Sequence, residues 1–263
     1  MKTAIAIAAH PDDIELMMAG TLVLLKKTGY DIHYMNLATG NCGSTKYSSE
    51  ETKQIRLEEA KNAARILGAH FHPPLCTDLE ILYDVNLLRQ VAAVIREVKP
   101  NIILTHSPED YMEDLVNTCR LAVTAGFARG MPNFTTVPER SADTYDCTVY
   151  HALPHTLKDN FRRRIMPGVF VNIASVQEIK LEALKAHKSQ QYWLDISQKM
   201  NSYLQTMEDI TLEVGKLSKL FKYAEGWRRH LNVGFCGVGH DPLKDLGDDY
   251  LVNKSYEESL DVI

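Results

Sequence analysis

The sequence predicts an α/β fold in which helices cover both faces of a largely parallel sheet. Short β-rich runs alternate with helical patterns through the first half of the chain, and the helical patterns end at Gly or Pro. The chain has 263 residues, of which 45% are hydrophobic and 24% charged, enough for one large α/β domain. Alternating strands and helices form βαβ units, which make neighbouring strands parallel.

Each element follows from its own pattern. The strand-like runs are KTAIAIAA (2–9), YDIHYMNLA (30–38), HFHPPL (70–75), NIILTH (101–106), CTVYHALP (147–154) and GVFVNI (168–173). Helical spacing occupies residues 16–29, 49–68, 86–100, and stretches near 175–188 and 197–228. From Gly234 onward the chain is rich in glycine and acid. We therefore expect one domain over residues 1–233 and an irregular tail over 234–263, packed on the body or on a neighbouring subunit.

Charge and cysteine content exclude several classes of protein. The net charge of −5 and a pI of about 6.1 do not indicate the excess of positive charge that binds nucleic acid or an anionic membrane. Five scattered cysteines without a CxxC pair are typical of reduced thiols in the cytoplasm. The first apolar run resembles a secretory h-region, but the acidic residues directly after it favour a buried strand. We expect a cytoplasmic protein with a small-molecule substrate, no nucleic-acid or membrane partner, and a homo-oligomeric state.

Polar side chains follow the first and fourth predicted strands. His10, Asp12 and Asp13 lie in AAHPDDIEL, and HSPED follows the fourth strand. Carboxyl ends of parallel strands meet at one edge of a sheet, where ligands bind. A histidine and a carboxylate three residues later can reach one metal ion, while Asp12 faces a water on that ion as general base. The alternative is that Asp12 or Asp13 only caps a helix beginning near Ile14.

Further motifs follow the first in a fixed order. They are AGTL, ATGNCG after the second strand, RLEEAKNAARILGA, HSPEDY, and VNIASVQEIKLEALKAHKSQ, spread over about residues 3–228. In this order they resemble the LmbE-like or PIG-L family of zinc-dependent de-N-acetylases. The resemblance implies a Rossmann-like three-layer αβα fold with a mostly parallel sheet. It also implies the removal of acetyl groups from N-acetylglucosamine-type sugars and related conjugates.

The resemblance assigns roles to residues of the first motif and of the segment after the fourth strand. It makes His10 and Asp13 ligands of Zn²⁺ and Asp12 the general base. It also implies a His-x-Asp-His element in which the last histidine is the third ligand, while the first stabilises the oxyanion or protonates the leaving amine. This chain reads MEDL there, so that Asp114 remains as a catalytic candidate.

Two residues depart from that element. Met112 removes a donor to the tetrahedral intermediate, a loss of roughly 10²–10³ in rate unless another group replaces it. Leu115 cannot coordinate a metal, whereas a catalytic zinc has three protein ligands and a water. The Zn²⁺ ligand set is therefore incomplete, unless another side chain is recruited.

Other residues are candidates for the same pocket. His106 ends the fourth strand and is expected to touch substrate or metal, or else to be structural. The resemblance places Asn41, Arg56 and Asp78 where sugar hydroxyls bind. The alternative for Arg56 is an exposed arginine paired with Glu59, and Asp78 could equally be a turn residue.

The remaining histidines have weaker signals. His187 matches a family position near the pocket, but a packed or hydrogen-bonded role is the favoured interpretation, and His240 has no assignment. Structural or surface roles are expected for His70, His72, His151 and His155.

Three functions stay open. The first is a zinc-dependent hydrolase that removes an acetyl group from an N-acetylated sugar or related small molecule, impaired unless another ligand replaces Leu115. The alternative is a catalytically inactive family member that binds a sugar-like ligand or a partner through the same pocket. A third, weaker hypothesis is a metal-free branch with different chemistry. No GxSxG motif supports a serine nucleophile, and no cysteine has a convincing histidine partner.

Overall fold

The computed structural model describes residues 2–197 and 203–260 and confirms the α/β prediction. Within these ranges one eight-stranded, mostly parallel sheet carries helices on both faces, in the strand order β3-β2-β1-β4-β5-β7-β6-β8. The strands are β1 Thr3–Ala8, β2 Asp31–Asn36, β3 His70–His72, β4 Ile102–Thr105, β5 Thr148–Ala152, β6 Val169–Asn172, β7 Ala224–Arg229 and β8 Tyr250–Val252. The α-helices are α1 Asp13–Met17, α2 Ala19–Lys27, α3 Ser49–Leu67, α4 Val85–Val98, α5 Glu113–Phe127, α6 Gln177–Leu184, α7 Lys188–Ser197, α8 Tyr203–Ser218 and α9 Lys254–Leu260.

The first strand organises the core. β1 is buried along its whole length, as expected for a strand covered on both faces. Its alternate residues point to opposite faces. Ala4, Ala6 and Ala8 pack in a cluster with α2, α3, α6 and α8, whereas Ile5 and Ile7 pack in a second cluster with α4 and α5.

The parallel part of the sheet brings the predicted motifs together. Strands β3, β2, β1, β4 and β5 are mutually parallel, so their carboxyl ends lie along one edge. Strand β7 runs antiparallel between β5 and β6, and β8 pairs antiparallel with β6. The segments after β1, β2, β3 and β4 therefore lie next to one another.

The prediction of helix near 197–228 is wrong beyond Ser218. Residues 224–229 form β7, a strand in the interior of the sheet. The helix ends where Lys219 adopts a left-handed conformation with φ 60°. Residues 198–202 of that stretch lie outside the described residues.

Two other segments gain structure that their sequence patterns did not indicate. Helix α5 begins at Glu113, after a seven-residue loop that follows the fourth strand. Within the tail expected to be irregular, Pro242–Asp249 form 3₁₀ turns with a kink at Gly247, and they lead into β8 and then α9. Strand β8 adds to the edge of the sheet because its backbone pairs with β6. No helix among the described residues is both long and apolar enough to cross a membrane.

Candidate active site

A cavity of about 270 Å³ lies at the carboxyl edge of the parallel strands, below α7 and α8. Its walls come from the loop after β1, the loops after β2 to β5, and these two helices. The lining residues are His10, Asp12, Asp13, Leu16, Cys42, Gly43, Arg56, Asp78, Leu79, Tyr111, Met112, His155, Gln190, Trp193, Leu194, Tyr203 and Thr206. Carboxylates, an arginine and aromatic rings thus face one small-molecule-sized space.

Asp12 is held in a strained backbone conformation at the head of α1. Its φ of 106° lies in the left-handed region that is costly for a non-glycine residue. Its side chain makes no capping hydrogen bond to α1, so the capping alternative is wrong for Asp12. The carboxylate instead accepts a 2.6 Å hydrogen bond from the Tyr203 hydroxyl of α8.

The surroundings of Asp12 favour a base that titrates near neutrality. Burial raises the pKa of Asp12 to about 6, against the opposing effect of the Arg56 guanidinium 3.6 Å away and the Tyr203 hydrogen bond. A carboxylate with such a pKa is suited to general base catalysis.

His10 is bound to two carboxylates. Its Nε2 donates to Asp114 Oδ2 at 2.9 Å, and its Nδ1 lies 3.5 Å from Asp13 Oδ2. The same Asp13 oxygen accepts the backbone N–H of His10 at 2.7 Å. Burial lowers the pKa of His10, but the hydrogen bonds to Asp114 and Asp13 outweigh it and raise the pKa to about 10. Burial would raise the pKa of Asp13, yet His10 and His106 hold it well below its ordinary value.

Asp114 and His106 lie behind the cavity wall. Asp114 is 3% exposed, and its Oδ2 also accepts the backbone N–H of Leu79 at 2.8 Å. His106 Nε2 accepts the backbone N–H of Ala9 at 2.9 Å and lies 3.4 Å from Asp13 Oδ2. Neither residue lines the cavity. Their predicted catalytic and substrate-binding roles stay predictions, and the observed contacts orient His10 and Asp13.

Arg56 joins the first two loops from the middle of α3. A capping box of Ser48 and Glu51 begins this helix, and its buried face carries the guanidinium beneath the cavity. Arg56 is 2% exposed and donates to the carbonyl oxygens of Pro11 and Gly40. The alternative of an exposed arginine paired with Glu59 is therefore wrong, because Glu59 binds Ser189 instead.

Asn41 and Asp78 fasten the second loop to the third. The Asp78 carboxylate accepts backbone N–H groups of Gly40 at 2.6 Å and Cys42 at 3.0 Å. Asn41 Oδ1 in turn accepts the backbone N–H of Asp78 at 2.9 Å. Only Asp78 of this pair lines the cavity, and substrate binding by both residues stays a prediction.

The residues present do not fit a three-ligand zinc site. Leu115 is 3% exposed and lies in the apolar cluster formed with α4 and the central strands. Met112 lines the cavity, and its thioether has no N–H or O–H to donate. Among the described residues, no three His, Cys, Asp or Glu side chains are grouped so as to hold a metal ion. His10 and Asp13 alone are fewer ligands than a catalytic zinc takes.

Sequence reasoning missed several cavity residues. His155, assigned a structural or surface role, lines the cavity three residues after β5 ends. The strand-end rule that located His10 could also have found it. No local signal marked Tyr203 and Trp193, which reach the cavity from distant helices.

His187 is packed, as the favoured interpretation held. It is wholly buried, and its Nε2 lies 3.4 Å from Glu15 Oε1. Burial lowers the pKa of His187, but Glu15 outweighs this and raises it. The pair lies beneath the first loop rather than in the cavity wall.

Fold and site together define a Rossmann-like α/β protein with a carboxylate- and histidine-lined small-molecule pocket at the carboxyl edge of its sheet. Residues 5–125 match the family model described as PIG-L, GlcNAc-PI de-N-acetylase. The chain is 33% identical over 235 residues to the diacetylchitobiose deacetylase of Thermococcus kodakarensis, an alignment covering 87% of this chain and 83% of that protein. This chain belongs to the PIG-L, or LmbE-like, family.

Other similar proteins include deacetylases and a hydratase. The chain is 30% identical over 204 residues to a probable N-acetyl-alpha-D-glucosaminyl L-malate deacetylase 2 of Bacillus cereus, covering 72% of this chain and 84% of that protein. Among solved structures, the 4-carboxy-2-hydroxymuconate hydratase of Pseudomonas putida superposes with a TM-score of 0.74 at 25% identity. That match covers 92% of this chain and 99% of the hydratase.

Proposed function

We propose that this chain binds an N-acetylated sugar or a related small amide in the cavity, and that its activity as a zinc-dependent de-N-acetylase is impaired. Two relatives that match most of the chain are named as deacetylases, which hydrolyse amide bonds. The cavity supports the same class of ligand, since Asp12, Asp78 and Arg56 offer polar groups and Trp193 an aromatic face.

The burial of Leu115 is the observation that carries the impairment. A leucine turned into the apolar core leaves no donor at the third-ligand position. The hydrogen bond from His10 Nε2 to Asp114 leaves Nδ1, which faces Asp13, as the ring nitrogen that could hold a metal. His10 and Asp13 therefore supply at most two ligands, one fewer than a catalytic zinc takes from the protein.

The remaining residues support part of the hydrolytic chemistry. Asp12 can take a proton from a water that attacks the amide carbonyl, and Tyr203 fixes the orientation of its carboxylate. Met112 offers no N–H or O–H to the developing oxyanion, which costs roughly 10²–10³ in rate. We therefore expect binding of the amide with slow hydrolysis or none. Binding without any turnover would correspond to the inactive alternative.

Tryptophan fluorescence provides a direct test of binding. The chain has two tryptophans: Trp193 lines the cavity, whereas Trp227 is fully buried and donates to Thr21. Titration with N-acetylglucosamine and diacetylchitobiose should change the emission of the chain, and Trp193→Phe should abolish that change. Calorimetry that shows no saturable binding of either sugar contradicts the proposal.

A second candidate function is the addition of water to an unsaturated acid without acyl transfer. The similarity to a muconate-type hydratase over nearly the whole chain favours it. Asp12 would serve as base there too, and no amide would be cleaved. Loss of ultraviolet absorbance from a conjugated muconate-type acid, without release of acetate from N-acetyl sugars, would favour this candidate over the first.

A further inference from the structure

We infer that His33 and His72 form a second site, for a divalent transition ion such as Ni²⁺ or Cu²⁺, at the β2–β3 edge of the sheet. This inference does not depend on the proposed function. Both residues lie within their strands, whereas the cavity lies beyond the carboxyl ends of the strands. Neither residue lines that cavity.

The register of the two strands brings the histidines together. His33 of β2 pairs with His70 of β3, and Met35 pairs with His72. Because alternate residues of a strand share a face, His33, His70 and His72 stand on one face of the sheet. The ring centres of His33 and His72 are 5.1 Å apart, and His33 Nδ1 lies 2.9 Å from His72 Nε2.

Asp31 orients the first ligand. Its Oδ2 lies 3.5 Å from His33 Nε2, and its Oδ1 accepts from His70 Nε2 at 2.9 Å. A carboxylate beside Nε2 favours the proton on that nitrogen, which leaves the lone pair on Nδ1 directed at His72. Carboxylate, histidine and ion in line are the usual arrangement around metal-binding histidines. Without a metal, the His72 Nε2 proton lies between the two rings and is donated to His33 Nδ1. When His72 changes tautomer and carries its proton on Nδ1 instead, both facing nitrogens offer a lone pair to an ion.

The distance between His33 Nδ1 and His72 Nε2 determines which coordination geometry, and so which ion, fits between them. Bonds from metal to imidazole nitrogen of about 2.05 Å span 2.9 Å when the angle at the metal is about 90°. That angle suits adjacent positions of a tetragonal or octahedral ion such as Cu²⁺ or Ni²⁺. A tetrahedral zinc would need the two nitrogens about 3.3 Å apart. Since no three ligand side chains group around one ion in residues 2–197 and 203–260, water completes the coordination.

Both histidines are available to a metal at neutral pH. Burial and the neighbouring His33 lower the pKa of His72 to about 4, and burial also lowers the pKa of His33. Neutral imidazoles do not have to release a bound proton to coordinate. Both side chains are half-buried, so that an ion can enter from solvent.

Calorimetry and electron paramagnetic resonance on the full chain test this site, in a His10→Gln background that removes the family site. We expect one Ni²⁺ to bind, and one Cu²⁺ to give a spectrum with coupling to two imidazole nitrogens. His33→Gln and His72→Gln should each weaken Ni²⁺ binding at least tenfold and remove one nitrogen from the Cu²⁺ spectrum. His70→Gln, a matched control in the same cluster, should change the affinity less than threefold.

Three results would overturn the inference. These are unchanged Ni²⁺ affinity in the His33→Gln and His72→Gln double variant, a loss in His70→Gln as large as in His33→Gln, and tighter binding of Zn²⁺ than of Ni²⁺. Circular dichroism establishes that each variant is folded before its affinity is compared. A metal site that persists without His10 is separate from the candidate active site, so failure here leaves the proposed function untouched.

Discussion

Replacing Arg56 with Met tests whether this residue holds the cavity together. The guanidinium is buried and donates to the carbonyl oxygens of Pro11 and Gly40. Hydrogen bonds that involve a charged group contribute about 1.5–3 kcal/mol each, so two of them amount to about 3–6 kcal/mol. Since 1 kcal/mol shifts the melting temperature of a chain of this size by about 2–4 °C, Arg56→Met should lower it by roughly 6–24 °C.

Differential scanning calorimetry measures this shift, with Arg65→Met as the control. Arg65 is an exposed arginine on the same helix, and its loss should change stability by no more than about 0.5 kcal/mol. A melting temperature of Arg56→Met within 2 °C of the parent chain would show that the hydrogen bonds of Arg56 do not stabilise the cavity. If that variant also lost sugar binding while it kept its stability, Arg56 would be a substrate-binding residue, as the family resemblance implies.

Three further variants test other parts of the account. Gly40 has φ +77°, and a Cβ added there would lie 2.6 Å from the Arg56 side chain, whereas Gly29 has φ +93° but open space around it. Gly40→Ala should therefore destabilise the folded protein more than Gly29→Ala does. Urea unfolding of both variants measures the difference. Lys180 and Glu225 form a buried ion pair at 2.5 Å, so Lys180→Met should cost about 3–5 kcal/mol, and a loss below 1 kcal/mol would contradict this. Burial raises the pKa of Asp110 to about 6, above its value of about 3.9 in the unfolded chain. The folded protein therefore keeps the Asp110 proton more tightly than the unfolded chain does. The stability that this proton contributes is present at low pH and is lost as pH rises from about 4 through 6. Asp110→Asn should therefore flatten the decline of unfolding free energy over that range, and equal slopes in the two chains would contradict the shift.

The sequence predicted an element correctly where its hydrophobic pattern matched its burial in the fold. The run TAIAIA is a strand buried on both faces, and the rule that ligands bind at strand ends places His10 and Asp12 in the pocket from sequence alone. The same rule, applied to the fifth strand, would have included His155. Local pattern failed at residues 224–229, because helical spacing continues into a segment that the sheet recruits as an interior strand.

Long-range contacts could not be predicted. Tyr203 lies 191 positions from Asp12, and nothing near either residue marks their hydrogen bond. The sequence showed that Leu115 cannot bind a metal, but only packing shows that it lies in the core. Pairing of His33 with His72 depends on the register of β2 and β3, which periodicity alone does not give.

The impairment that we attribute to Leu115 is tested by measuring zinc binding and acetate release in this chain beside its Leu115→His variant. Equilibrium dialysis against Zn²⁺ and release of acetate from N-acetylglucosamine would be followed in both proteins, with His33→Gln included to exclude metal held at the sheet edge. We predict weak zinc binding and little or no acetate release in the chain as it stands, and a gain of both in the histidine variant. One tight zinc and full turnover in the unmodified chain would show that another side chain completes the site, and would contradict the account.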